Sequence, residues 1–320
     1  MTLLASPFIG PVLDGNPTAV ARAISRVERG GSEARELIRA IFSHSGRAQV
    51  VGVTGAPGTG KSTLVNVLAL EFQKRARRVA IIAVDPTSPF TGGAILGDRL
   101  RMQDLSGSGV FIRSMASRGQ LGGLASATAD AVTVLDAAGF DLILVETVGA
   151  GQGEVDIARN AQTTLVLEAP GLGDDIQAIK AGILEIADIL IVNKADRDGA
   201  NATVAALEMN LSFNREINDS ADGRPRWRPP VLKTVALRGQ GIVETVGAIE
   251  RHREFLEKNG LSVEKERARI EAELRQLLQR ELLDRTLAQL PPRQLPDLVA
   301  QIAARQLDLY SAAEQILIAV

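Results

Sequence analysis

The stretch Gly55-Ala-Pro-Gly-Thr-Gly-Lys61-Ser62 constrains this chain more than any other, because it fits G-x-x-x-x-G-K-[ST] and so demands a strand before it and a helix after it. Residues 50–54 supply the β-branched run, and Leu64, Val65, Leu68, Ala69 and Phe72 supply a helical apolar pattern behind it. Gly55, Ala56, Pro57, Gly58, Thr59 and Gly60, with Lys61, Ser62 and Thr63 at the helix start, form the expected phosphate-binding set. The glycines let the backbone curl so that its amides point at phosphate oxygens. Lys61 adds positive charge at the β- and γ-phosphates, and the Ser62 hydroxyl is an oxygen ligand for magnesium.

The remaining apolar runs surround such a turn. They fall at residues 79–84, 110–113, 142–146, 164–168, 189–193 and 231–235, separated by helical or loop segments. That alternation predicts an α/β fold of the P-loop NTPase kind, with a mostly parallel sheet covered by helices on both faces. Residues 47–255 form this domain. Residues 1–46 form an N-terminal helical extension, in which Asn16-Pro17 starts a helix carrying Val20, Ile24 and Val27, and Gly30-Gly31 ends it. Ser32 opens a second helix with Leu37, Ile38, Ile41 and Phe42. Residues 256–320 are helical again: Ser262 caps a helix whose stripe is Ile270, Leu274, Leu277 and Leu278, and Pro291-Pro292 breaks it. That stripe fits either packing on the chain's own core or a dimerisation arm.

Ligands of such sheets bind at the carboxyl ends of the strands, so the polar residues there carry the function. Asn193-Lys194-Ala195-Asp196 ends one strand. The Asp196 carboxylate can accept from guanine N1–H and the exocyclic amine, a donor pair that adenine lacks. Asn193 braces the loop, and the Lys194 stem lies along the base plane. Asp85 and Glu146 end two further strands, and Asp98 lies in the loop between them. With Ser62 these carboxylates make a hard oxygen donor set for Mg²⁺. Gly149 could let a backbone amide approach the γ-phosphate. The expected chemistry is magnesium-dependent binding of GTP and its hydrolysis to GDP and phosphate, with Lys61, Asp85, Glu146 and Gln152 as the catalytic set.

Composition excludes several rivals. A net charge of −2 gives no electrostatic reason to expect nucleic acid. There are no cysteines and only two histidines, His44 and His252, which argues against a thiolate or imidazole metal centre. No apolar run reaches the ~18 residues of a membrane span, and no basic leader opens the chain, so the expected setting is the cytoplasm without membrane contact.

These pieces together resemble the MeaB–ArgK family of P-loop GTPases, the G-protein chaperones of adenosylcobalamin-dependent methylmalonyl-CoA mutase. The resemblance rests on residues 55–62, Val84-Asp-Pro-Thr-Ser88, residues 97–102, Glu146-Thr-Val-Gly-Ala-Gly-Gln152, Asn193-Lys-Ala-Asp196 and Val235-Ala-Leu237. It implies the fold class of signal-recognition-particle and nickel-insertion GTPases. It also implies a homodimer through the C-terminal helices and GTP-gated delivery and protection of the mutase's cobalamin. Ala236 would be the backbone donor to guanine O6. The segment Pro170-Gly-Leu-Gly-Asp-Asp175 and the helix after it would be a switch facing the mutase, through Asp174, Asp175, Gln177 and Lys180.

One departure from small GTPases matters. Ala150, not glutamine, follows Gly149, which predicts slow intrinsic turnover that a partner speeds by ordering the loops. Arg101, Arg113 and Arg118 are candidates for an internal arginine contact. Two alternatives are a nickel-type metallochaperone GTPase, which would need His/Cys clusters, and a P-loop small-molecule kinase, which the guanine reader disfavours.

Overall fold

The computed structural model describes residues 8–86, 105, 107–117, 123–147, 160–171, 185–218 and 225–318. Three N-terminal helices come first: α1 (Ile9–Leu13), α2 (Pro17–Arg29) and α3 (Gly31–Ile41). Alternation then follows through β1 (Gln49–Gly55), α4 (Lys61–Lys74), β2 (Val79–Pro86), β3 (Phe111–Ser117), α5 (Gly123–Ala137), β4 (Leu142–Glu146), β5 (Thr163–Glu168) and β6 (Ile189–Val192). The chain continues with α6 (Ala200–Asn218), β7 (Val231–Lys233), α7 (Ile242–Lys258), α8 (Leu261–Gln289), α9 (Gln294–Ala303) and α10 (Leu309–Ile318). Among the described residues the seven strands form one sheet in the order β3-β2-β4-β1-β5-β6-β7, all pairs parallel.

Side-chain alternation along each strand builds two cores. Val51 and Val53 of β1, Ile81 of β2 and Leu144 of β4 face one way, against Leu64, Leu68 and Phe72 of α4 and Val246 and Ile249 of α7. Ala80 and Ile82 of β2 and Ile143 and Val145 of β4 face the other way, against α1, α2, α3 and α5. The N-terminal helices therefore complete the sheet's second face. Val20, Ile24 and Val27 of α2 are all buried, each contributing about 1.5–3 kcal/mol before entropy is counted. Asn16 caps α2 as expected, accepting from the amides of Thr18 at 3.0 Å and Ala19 at 3.1 Å, with Pro17 at the first helical position.

Several boundaries differ from the sequence expectation, each for a physical reason. β3 runs past Arg113 to Ser117, because backbone pairing with β2 continues from Ser114↔Ala83 to Ser117↔Pro86 regardless of side-chain polarity. β7 stops at Lys233, because Val235 turns to bridge Gln240 in antiparallel fashion. Phe42 leaves the apolar face of α3, lying in a 3-10 turn where it is exposed. Ser262 is not a cap: Asn259-Gly260 makes the turn, α8 starts at Leu261, and Ser262 falls within its first turn.

Two compact units divide the chain, Met1–Lys265 and Glu266–Val320. The first holds the sheet and the helices on both of its faces. In the second, α10 is capped by Asp308, which accepts from the Tyr310 and Ser311 amides, and Leu298 and Ala312 are buried. The α8 stripe is not packed on a core of its own: Ile270, Leu274, Leu277 and Leu278 are 43–52% exposed. Among the described residues no helix is long and apolar enough to cross a membrane.

Candidate nucleotide-binding site

β1 occupies the position where the strand connections part to either side, between β4 and β5. The crevice at its carboxyl end is where such sheets take ligands. Gly55 closes β1 beside β5, and Lys61 opens α4, so the 55–62 turn sits at a helix N-terminus. Two glycines there are required by space as well as by φ. A Cβ on Gly55, at φ +140°, would stand 2.2 Å from the Leu167 carbonyl oxygen. One on Gly60, at φ +95°, would stand 2.4 Å from Asn193 Nδ2.

The turn is braced internally. Thr59 Oγ1 donates to the Ala56 carbonyl at 2.9 Å. The buried Lys61 folds back over the turn, its Nζ donating to the carbonyls of Gly55 at 2.8 Å and Ala56 at 3.1 Å. That places the ammonium at the mouth of the cradle. Ser62 Oγ donates to Glu146 Oε1 at 2.6 Å, bringing the helix start to the tip of β4. Two hard oxygen donors at the edge of an anion cradle fit a small divalent cation. Thr147 extends the same contact, its hydroxyl donating to Thr54 Oγ1 at 3.0 Å and its amide to the Val53 carbonyl at 3.1 Å.

The second half of the site comes from the tips of β6 and β7. Asn193 is 2% exposed and joins three segments. Its Nδ2 donates to the Thr59 carbonyl at 2.8 Å; its Oδ1 accepts from Thr234 Oγ1 at 3.0 Å and from the Ala236 amide at 3.1 Å. Lys194 takes a left-handed backbone, φ +56°, uncommon for a residue with a side chain, and its Nζ reaches the Gly58 carbonyl at 2.6 Å. Its stem thus spans from the loop after β6 to the 55–62 turn. A pocket opens between them, lined by Gly60, Thr63, Lys194, Asp196, Ala236 and Leu237 among others. Arg238 Nη2 lies 3.5 Å from Asp196 Oδ2 at the same pocket.

The structure thus brings together 55–63, Glu146, Asn193, Lys194, Asp196 and Ala236. The Ala236 amide points at Asn193 in this arrangement. Asp85 has its backbone in register with Ala116, at the carboxyl end of β2, but its side chain lies outside the described residues. Asp98, Arg101, Arg118, Gly149, Gln152, Asp174, Asp175, Gln177 and Lys180 also lie outside them. Arg113 does not belong to the site. It shares a strand face with Phe111 and Met115, which pack against the N-terminal helices, and its guanidinium bonds to Ser25 and Glu28 of α2. Among the described residues no group of three or more His, Cys, Asp or Glu side chains is placed to hold a metal ion. Sequence reasoning missed Leu237 and Arg238 as pocket residues. The available signal was position: both follow the last predicted strand at the end where ligands bind.

Comparison with known proteins extends this geometry. A model of the family described as "Methylmalonyl Co-A mutase-associated GTPase MeaB" matches residues 20–290. A relative from Pyrococcus abyssi whose name carries the word GTPase is 50% identical over 304 residues, 95% of this chain and 93% of its own length. The GTPase ArgK of Escherichia coli is 39% identical over 240 residues, 73% of this chain and 72% of ArgK. The methylmalonic aciduria type A homolog of Caenorhabditis elegans, named as mitochondrial, is 36% identical over 224 residues, 68% of this chain and 54% of that protein. A crystal structure titled LAO/AO transport system kinase superposes with a TM-score of 0.70 at 26% identity, covering 98% of this chain and 96% of that one. Identity at these levels along most of the sequence marks common descent and a shared hydrolytic activity on GTP, and the chain belongs to the MeaB family of methylmalonyl-CoA mutase-associated GTPases.

Proposed function

We propose that this GTPase uses Mg²⁺ and the GTP/GDP cycle to gate cofactor delivery to an adenosylcobalamin-dependent methylmalonyl-CoA mutase and to protect that enzyme. The observation that carries the site reading is Asn193, which ties the phosphate loop at Thr59 to the loop after β7 at Thr234 and Ala236. Through it the γ-phosphate and the base are held in one rigid frame. Support for the partner comes from the family's description and from the relative named for methylmalonic aciduria.

In this reading the amides of 55–62 and the Lys61 ammonium bind the phosphates. Ser62 and Glu146, with Asp85 and Asp98, would hold magnesium, which when bound neutralises charge building on the phosphoryl oxygens. Asp196 reads the guanine edge, and the Lys194 stem and Leu237, which is 88% exposed beside the pocket, offer apolar surface to the ring faces. Gln152 and a Gly149 amide complete the γ-phosphate side, and intrinsic turnover is slow. Asp174, Asp175, Gln177 and Lys180 are the proposed switch surface for the mutase.

The protein works as a homodimer through its C-terminal helices. The exposed α8 stripe supports this, since Ile270, Leu274, Leu277, Leu278 and Leu282 make a longer apolar face than a monomer ordinarily leaves in water. The proposed setting is the cytoplasm, with neither nucleic acid nor membrane as partner.

The test is the rate of phosphate and GDP release, with and without the mutase, for wild type and Lys180→Ala. Stimulation by the mutase that the variant loses, on an unchanged basal rate, is the expected result. No stimulation of the wild type overturns the mutase reading, and equal stimulation of both removes Lys180. A phosphorylated acceptor in place of free phosphate would favour a kinase instead.

A further inference from the structure

Arg238 ends the 3-10 turn Ala236–Arg238 at the mouth of the base pocket. Its backbone is fixed. The Arg238 amide donates to the Val235 carbonyl at 2.9 Å, Val235 and Gln240 exchange backbone hydrogen bonds, and the turn begins at Ala236, whose amide is held by Asn193. Its side chain is not fixed in the same way: it is 63% exposed, with the guanidinium 3.5 Å from Asp196 Oδ2. A solvent-exposed cation on a fixed backbone therefore stands beside the carboxylate proposed to read guanine.

The guanidinium and the guanine edge offer the same chemistry to Asp196, parallel N–H donors that match a carboxylate. Both cannot hold Oδ2 in the same geometry. We infer that Arg238 is a specificity-determining residue of the base site: it pairs with Asp196 when the pocket is empty and must yield that carboxylate to an entering guanine. This rests on the reading of Asp196 as the guanine acceptor. The competition weakens guanine nucleotides and leaves adenine nucleotides untouched, because adenine has no donor pair for Asp196. Arg238 thus narrows the preference for guanine and hastens its release, since the guanidinium recaptures the carboxylate as the base departs. For a largely exposed ion pair the effect is modest, about 1.5- to 5-fold in affinity.

The experiment is calorimetric binding of GDP, ADP and XDP to the full chain as wild type, Arg238→Gln, Arg238→Lys, Asp196→Asn and the Asp196→Asn/Arg238→Gln double variant. Arg238→Gln should bind GDP about 1.5- to 5-fold more tightly with ADP unchanged, and Arg238→Lys, which keeps the charge but not the parallel donors, should fall between wild type and Arg238→Gln. Asp196→Asn should turn the preference to XDP, and adding Arg238→Gln to it should bring no gain, because the anion is gone. If Asp196→Asn turns the preference but Arg238→Gln leaves GDP affinity unchanged or weaker, the inference about Arg238 alone is overturned. If Asp196→Asn leaves the guanine preference intact, the Asp196 reading falls and the inference falls with it.

Discussion

Ser62 Oγ and Glu146 Oε1 meet at 2.6 Å although 84 residues separate them in the chain. The contact exists because β4 lies beside β1, with Glu146 in register with Val53, two residues before the phosphate loop begins. It holds a hydroxyl and a carboxylate together at the edge of the cradle.

Removing that hydroxyl tests the magnesium site. Ser62→Ala should lower GTP turnover about 10- to 100-fold and raise the magnesium concentration needed for half-maximal rate, as loss of an orienting partner does at metal sites. Magnesium titration of the hydrolysis rate decides it. A variant with the wild-type magnesium dependence would take Ser62 out of the metal site.

The two constrained glycines should differ in kind. Gly55→Ala pushes a Cβ against the Leu167 carbonyl, part of a buried strand that cannot move, whereas Gly60→Ala meets the end of the Asn193 side chain. Both also strain a left-handed backbone. Gly55→Ala should therefore cost global stability, about 1–3 kcal/mol or more. Gly60→Ala should lose nucleotide affinity with a smaller fall in stability. Urea unfolding paired with GDP binding separates them, and equal stability losses would contradict the distinction.

Asn193→Ala removes a buried amide and strands the Thr59 carbonyl, the Thr234 hydroxyl and the Ala236 amide. The expected loss is about 2–3 kcal/mol of stability, since buried polar groups without partners retain their desolvation cost. GDP affinity should fall in parallel, because both loops lose their tie. Unchanged GDP binding in a destabilised but folded variant would show that the two loops are positioned independently.

What was legible in the sequence follows physical range. The phosphate loop, the Asn16 cap and the strand segments along the chain rest on residues close together in the chain, so spacing alone exposed them. Arg113 misled because charge was read without parity: period-two alternation already puts it on the face of Phe111 and Met115, mid-strand and away from the tips. The pairing of Arg238 with Asp196 had no local signal, since it arises only when β7 aligns beside β6 and the turn after it swings back. Ser262 looked like a cap by residue type, but the Asn259-Gly260 turn sets the helix start one residue before it.

At the opposite end of the sheet, away from the nucleotide, His252 is 1% exposed, with its Nδ1 2.9 Å from Thr163 Oγ1 and its Nε2 3.3 Å from Asp188 Oδ1. Trp227 packs on its ring at 4.9 Å, and Lys265 stands on the far oxygen of Asp188 at 3.4 Å. Burial pushes the imidazole below its ordinary pKa of 6.5; Asp188 resists that shift, and the Lys265 charge adds to it. The folded protein therefore prefers neutral His252, while the unfolded chain takes up a proton as pH falls through about 6.5. Stability from this site is complete above that pH and is lost as pH drops from there towards the depressed folded value. The slope is at most ~1.4 kcal/mol per pH unit for one proton. His252→Gln cannot protonate, so the stability difference between wild type and variant should be flat above about pH 7.5 and should shrink or reverse as pH falls towards about 5.5, about one unit either side of the free imidazole. Asp188→Asn removes the charge that resists the shift, so its slope should continue to lower pH. Urea unfolding followed by Trp227, the single tryptophan, provides the measurement. A wild-type minus His252→Gln difference that stays constant across this range would mean that the buried imidazole does not titrate differently in the folded and unfolded states.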